Sequence, residues 1–403
     1  MSYDSLRKLY YKNKSEYKKI YEQRFDSENT IKFNFKINQN TAFYFNHFSI
    51  HSKCLNISTL DKEVSSLLSK LPPIEKDAYE KKCIVDEILF TNEIEGVIST
   101  RKDIISILDQ VDDVTQKPSK ISSLINKYKS LVLDEFIEIK NSNDIREIYN
   151  SMLLDEVEKY DEEDIPDGMI FRKNEVYLKN QSGNIIHTGV MPESNIILLM
   201  EHSISILNDK KIDLPIRVSI FHYLFAYIHP FYDGNGRMDR YITSIYLKEY
   251  YNPIIAFRIS QTINENKSQY YEAFKHTNEN NNLGDISTFV YNFIDIIEKA
   301  FINTKEYLIE KIISIENGNN FIFNLKLDDY SYKLLFLLFQ IKLFKDEDKS
   351  INELCNILSL GETKCRESIK KLLNDNFISF NKRSSKKVYC FNEELFNKII
   401  NLQ

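Results

Sequence analysis

The chain reads as mainly α-helical, with one β-hairpin set among the helices and a smaller α+β unit at the C-terminal end. Two patterns in the sequence carry that reading. Apolar residues recur at helical spacing over Asp77 to Ile98 and again from about Pro118 to Phe301. Short alternating stretches bounded by turn residues occur at two places, 175–187 and 377–391. With 403 residues the chain exceeds one ordinary core, and it divides into segments at 1–72, 73–110, 111–302, 303–324 and 325–403. A hydrophobic content of 42% with 28% charged residues is a globular balance and excludes general disorder.

Leu6 to Glu22 has helical character, and Ile31 to Ile37 alternates like a strand. Pro72 and Pro73 punctuate the chain. The helix predicted over Asp77 to Ile98 puts Ile84, Ile88 and Leu89 on one apolar face. Between Gly168 and Pro192, Glu175–Leu178 and Asn184–His187 form the predicted hairpin, with Gly183 and Gly189 as turn residues. A buried helix over Asp213 to Ile228, a loop over Pro230 to Asn235 and a helix from about Gly236 to Tyr250 follow. Glu316-Asn-Gly-Asn-Asn320 reads as a linker. Beyond it come helices over Tyr330–Phe344, Ile351–Leu358 and Glu362–Asn374, then strands Phe377–Phe380 and Lys387–Phe391 around the basic turn Asn381 to Lys386. That order is a winged-helix pattern.

Five cysteines stand at positions 54, 83, 355, 365 and 390 without paired spacing, which points to no disulfide framework or zinc site and to a reducing cytoplasm. The longest apolar run, Leu334 to Phe339, is far too short for a bilayer span, so no membrane partner is expected. A net charge of −6 excludes a general nucleic-acid coat.

The chemistry concentrates in His229-Pro-Phe-Tyr-Asp-Gly-Asn-Gly-Arg-Met-Asp-Arg240. Only nine glycines occur in the chain, yet Gly234 and Gly236 stand two residues apart, where they let the backbone curl closely around an anion. The helix that follows turns its free amides and positive dipole end into that curl. Arg237 and Arg240 share a helical face and can neutralise further phosphates. Asp233 is a hard oxygen ligand suited to Mg²⁺. His229 stands at the loop entrance, where a neutral imidazole can take a proton from an attacking hydroxyl. Neither Lys nor Ser follows the second glycine, so the common P-loop is excluded.

This stretch resembles the full Fic motif, His-x-Phe-x-Asp/Glu-Gly-Asn-Gly-Arg-x-x-Arg, without a mismatch, and the resemblance extends over roughly Asp77 to Ile297. It implies a Fic-type helical core in residues 111–302 and transfer of AMP from ATP to a Ser, Thr or Tyr hydroxyl of a target protein. By that resemblance His229 is the base and Asp233 the Mg²⁺ ligand. Asn235 and the amides around Gly234 and Gly236 hold the α- and β-phosphates, Arg237 the β-phosphate and Arg240 the γ-phosphate. Related Doc kinases carry Lys where Gly236 stands, so Gly236 favours AMP transfer. Ile185, Ile186, His187 and Thr188 resemble the flap that pairs with the target's backbone. Asn266 to Phe274 resembles the segment near the adenosine, with Tyr270 or Tyr271 as a wall for the purine.

Thr91-Asn-Glu-Ile-Glu95-Gly96 resembles the family's inhibitory motif, which makes 73–110 the inhibitory region. A glutamate at that helix end can form a charge-assisted pair with Arg240 and withhold it from ATP; Glu93 reads as a solvated neighbour. In some relatives the same glutamate is thought to reverse the modification, and dimers are frequent among relatives. The segment from Lys326 onward carries 14 basic and 11 acidic residues. Lys364, Arg366, Lys370 and Lys371 lie on its second helix, and Lys382, Arg383, Lys386 and Lys387 lie in its wing. Two readings stand: an autoinhibited AMP-transferring enzyme, or a DNA-binding regulator whose Fic core modifies itself or senses nucleotide. A third keeps the enzyme but uses another donor, such as UTP or a choline-bearing nucleotide.

Overall fold

A computed structural model describes residues 3–109, 121–133, 136, 138–160, 162–179, 182–344, 348–383 and 386–401. Pro118, where the long helical stretch was expected to begin, and Ser384 and Ser385 of the basic turn lie outside the described residues. The chain is mainly helical with small two- and three-stranded sheets. Contacts divide it into two units. One comprises Met1–Lys62 and Cys83–Ile302, the other Glu63–Lys82 and Asn303–Gln403, and the division falls inside three helices.

The first unit begins with α1 (Leu6–Lys12) and α2 (Lys14–Phe25), which the sequence suggested as one helix. Asn13 separates them: its side chain accepts from the Ser15 amide and caps the second helix. Strands β1 (Thr30–Ile37) and β2 (Asn40–Phe45) form an antiparallel hairpin. Phe43 of β2 packs with Leu6, Leu9 and Tyr17 and extends the pairing through backbone bonds to Gly284 and Ile286. There follow α3 (Phe48–Leu68), α4 (Pro73–Ile94), α5 (Arg101–Leu108), α6 (Ser122–Leu133), α7 (Ser142–Tyr149) and, after a wide turn at Asn150–Leu154, α8 (Asp155–Tyr160). Helix α4 ends four residues before the expected Ile98, because Gly96 takes a left-handed backbone and Val97 caps Asn92. Its buried apolar residues include Tyr79, Cys83, Val85 and Ile88; Ile84 and Leu89 are only half-buried.

The hairpin strands β3 (Tyr177–Lys179) and β4 (Ile185–Thr188) lie within the expected region, displaced by one or two residues. Next come α9 (Glu193–Leu207), α10 (Leu214–Ile228), α11 (Asn235–Tyr250), α12 (Pro253–Ala256), α13 (Ile259–Glu265), α14 (Lys267–Asn278) and the long α15 (Ser287–Asn324). Helix α10 is buried on every side and packs against both α9 and α11, so the loop joining α10 to α11 leaves the middle of the core.

The second unit contains α16 (Asp329–Leu343), β5 (Lys349–Ser350), α17 (Ile351–Leu358), α18 (Glu362–Asn374), β6 (Ile378–Arg383), β7 (Lys386–Phe391) and α19 (Glu393–Ile400), with strand order β5-β7-β6. The expected linker at Glu316 to Asn320 is instead helical, inside α15. Gly318 misled the reading: a Cβ there would overlap the Phe339 ring, so this glycine serves close packing and is no chain break. All five cysteines are free.

Gly284 has φ +81° and would place a Cβ 2.6 Å from the Thr41 carbonyl oxygen. Replacing it with Ala should loosen the docking of β2 and cost roughly 1–3 kcal/mol. Urea unfolding will show this as a lower midpoint with an unchanged slope; a parental midpoint refutes it.

Candidate functional site

Helix α10 ends at His229, which takes a left-handed backbone with φ 54° and ψ 64°. Residues other than glycine seldom adopt that region, although Asn, Asp and His do so more than most. The imidazole is largely buried. Burial pushes its pKa down to about 4, and His187 and Arg172 push it further in the same direction. His229 is therefore neutral at pH 7 and able to accept a proton.

The loop then folds back on itself. Asn235 accepts from the Phe231 amide at 2.9 Å and donates to the Phe231 carbonyl at 2.8 Å, so its side chain is spent on shaping the bend. Phe231 stacks on Tyr149 with ring centroids 3.9 Å apart. Gly234, at φ 79°, precedes α11, and a Cβ there would overlap Leu153. The first-turn amides of α11 have no partner within their own helix, an arrangement suited to an anion.

Arg237 and Arg240 are both about 1% exposed. Arg237 donates to Glu156 at 2.8 Å and to Asp233 at 2.9 Å. Arg240 reaches across to α4: Nε donates to Thr91 Oγ1, and Nη2 donates to the Thr91 carbonyl and to Glu95 Oε1, each at 2.9 Å. Glu95 and neighbouring tyrosines raise the Arg240 pKa against the opposing effect of burial. Gly236 leaves room for this arrangement, since a Cβ there would overlap the Glu95 carboxylate. Glu93, by contrast, is exposed and accepts from Asn264 at 3.3 Å.

The hairpin lies beside His229. Ile185, Ile186 and Thr188 are exposed, whereas the His187 ring turns inward and bonds the Tyr227 carbonyl at 2.7 Å. Tyr270 and Tyr271 separate. Tyr270 is buried with its hydroxyl 2.7 Å from His222 Nε2, and Tyr271 is 51% exposed. Beneath α11, His222 Nδ1 stands 3.1 Å from Asp239. Burial pushes the His222 pKa well below and the Asp239 pKa well above their ordinary values, so each is shifted towards its uncharged form.

The contacts made by four residues escape a reading of the sequence by motif. Glu156 and Arg172 lie far along the chain from their partners and give no local signal. Glu87 is fully buried and accepts from the Ser260 amide at 2.9 Å and from the Ser260 hydroxyl. Thr91 fell within the quoted inhibitory stretch without a role of its own. Glu87, Thr91 and Glu95 recur every fourth residue, and that spacing could have marked a polar edge on α4.

In the second unit the α18 cations are mostly engaged. Lys364 pairs with Glu367 at 3.5 Å, Arg366 with Glu362, and Lys371 with Asp328 at 2.8 Å. The helix therefore presents little unpaired positive charge. No helix among the described residues is long and apolar enough to cross a membrane.

Residues 140–247, which run from before α7 into the last turn of α11, match the family model described as the Fic/DOC family. It is 30% identical over 185 residues to a protein adenylyltransferase Fic of Aedes aegypti, a match covering 44% of this chain and 30% of that relative. A protein of the same name from Drosophila erecta is 31% identical over 183 residues, again 44% of this chain and 32% of the relative. The match thus spans about a third of the length of these curated relatives. A crystal structure of a Fic family protein from Desulfovibrio desulfuricans G20 shares the fold, with a TM-score of 0.50 at 15% identity over 84% of this chain and 96% of that one. The stretch that matches the family model therefore holds the glycine bend, His229 and both buried arginines.

Burial pushes the Glu87 pKa up to about 7, so the folded chain holds a proton that an unfolded chain releases near pH 4.5. Its stabilising contribution is complete below about pH 4.5 and is lost as pH rises towards 7, with a slope of up to about 1.4 kcal/mol per pH unit. Glu75, also pushed up to about 7, contributes over the same window. Glu87→Gln should therefore flatten the stability profile relative to the parent between pH 4.5 and 7. Parallel profiles in urea unfolding at stepped pH refute the assignment.

Proposed function

We propose that the chain is an autoinhibited protein AMP-transferase, moving AMP from ATP to a Ser, Thr or Tyr hydroxyl of a target protein. The observation that carries this reading is a neutral, largely buried His229 beside a glycine bend that caps a helix, with two buried arginines on that helix. The triphosphate would lie along the α11 N-terminus, gripped by the amides from Gly234 to Arg237 and by the Arg237 guanidinium. His229 would accept the proton of the target hydroxyl as its oxygen attacks the α-phosphorus. The new P–O bond joins AMP to the target, and the bond to the β-phosphate breaks to release pyrophosphate. Exposed Ile185, Ile186 and Thr188 would present a strand edge to the target, with His187 anchoring the hairpin to α10.

The side chain of Asp233 is half exposed, with Oδ2 on Arg237. Among the described residues there is no cluster of three His, Cys, Asp or Glu side chains fit to hold a metal. One accessible carboxylate suits Mg²⁺ carried on phosphates, where the ion would offset charge on the leaving pyrophosphate. Tyr271, rather than the core-bound Tyr270, is free to border the purine.

Glu95 acts as the brake. It and Thr91 occupy three of the Arg240 hydrogen bonds, so Arg240 is withheld from the γ-phosphate. A charge-assisted hydrogen bond of about 1.5–3 kcal/mol sets the scale of the release. Glu95→Gly should raise AMP transfer and self-modification about 10- to 100-fold, and His229→Ala should abolish both. Labelled ATP and UTP supplied to the full chain test this. No gain in the Glu95 variant removes the brake, and preferential transfer from UTP replaces AMP as the group moved.

A further inference from the structure

Arg172 is fully buried, yet among the described residues no carboxylate is one of its hydrogen-bond partners. Glu175 acts on it through space without a hydrogen bond, and burying a guanidinium that bonds no carboxylate costs several kcal/mol unless every donor is matched. Here each one is. Nε donates to the His229 carbonyl at 2.8 Å. Nη1 donates to the Asn174 carbonyl at 2.7 Å and to Met191 Sδ at 3.2 Å. Nη2 donates to the carbonyls of Val190 at 3.0 Å and Ile228 at 3.3 Å. The five N–H groups of the planar fork thus reach the end of α10, the catalytic-loop residue and the segments flanking both hairpin strands.

Backbone bonds run alongside. The Arg172 amide donates to Pro230, the Val190 amide to Ile228 and the Gly189 amide to Val176. Gly189 is the point of closest approach, since a Cβ there would overlap Arg172 Nη2 and stand 3.3 Å from His229 Cβ.

We propose that Arg172 is a positioning residue that clamps the flap to the loop bearing His229, holding that histidine in its left-handed backbone and fixing the distance between target strand and base. The proposal rests on the AMP-transfer reading of the same site. Arg172 touches neither nucleotide nor target in this scheme; it acts through the His229 carbonyl and the flap stem. An ammonium, with three donors on a single atom, cannot span these five acceptors.

The test uses the full chain with Glu95→Gly as the active parent, adding Arg172→Gln, Arg172→Lys or Gly189→Ala. Self-modification at saturating ATP should fall roughly 10²-fold in each, the scale of a misplacement of about 1 Å, while the KM for ATP stays at the parental value. Hydrogen exchange at the Gly189 and Val190 amides should accelerate, with amides in α9 and α15 as protected as in the parent. Gly189→Ala retains the arginine and so guards against loss of fold from removing it. Parental rates in Arg172→Lys, parental exchange at Gly189 and Val190 in Arg172→Gln, or a KM for ATP that rises in step with the rate loss would each overturn the clamp. If the Glu95→Gly parent itself transfers no nucleotide, the AMP-transfer reading falls alone, and exchange at those two amides still decides the role of Arg172.

Discussion

A guanidinium taken out of water needs hydrogen-bond partners to offset its lost hydration, and the site is built around three such groups. Arg172, Arg237 and Arg240 are among the largest fully buried side chains in the chain. Each is compensated differently. Arg172 is matched by main-chain carbonyls and a thioether, Arg237 by two carboxylates, and Arg240 by one threonine and one glutamate from α4. The kind of compensation decides what each can do. Carbonyls cannot leave without unfolding the loop that carries them, so Arg172 is fixed. A carboxylate on a half-exposed side chain can turn to solvent, so Asp233 can give up Arg237 when a phosphate or a cation competes.

The loop from His229 to Arg240 was legible because its chemistry is local: glycines for a bend, a helix start for an anion and arginines one turn apart. Glu95 was legible because it precedes a helix-ending glycine, and its observed bond to Arg240 agrees with the pairing its position suggested. The rest depends on contacts that no window of sequence contains. Arg172 meets residues 57 positions away, and Glu156 meets Arg237 across 81. The linker reading failed for a related reason. Glycine beside asparagines signals a turn on local propensity, but here the missing Cβ admits an aromatic ring from another helix. Asn235 looked like a phosphate ligand by its place in the motif, while its side chain is engaged in closing the bend.

Of the contacts that hold Arg240, the one to Glu95 is placed where release costs least. Glu95 follows the last residue of α4, and its side chain keeps about a third of its surface exposed. Gly96 ends the helix, so Glu95 can move with the loss of one terminal turn's bonds and none of the core. Glu87 and Thr91, one and two turns earlier, are fully buried and hold the rest of α4 against α11 and α13. Letting go of Glu95 therefore leaves Arg240 still tethered to Thr91, with Nη1 and part of Nη2 free to meet a phosphate. A helix that carries both the anchor and the releasable contact on one edge, four residues apart, can expose the arginine without losing its position.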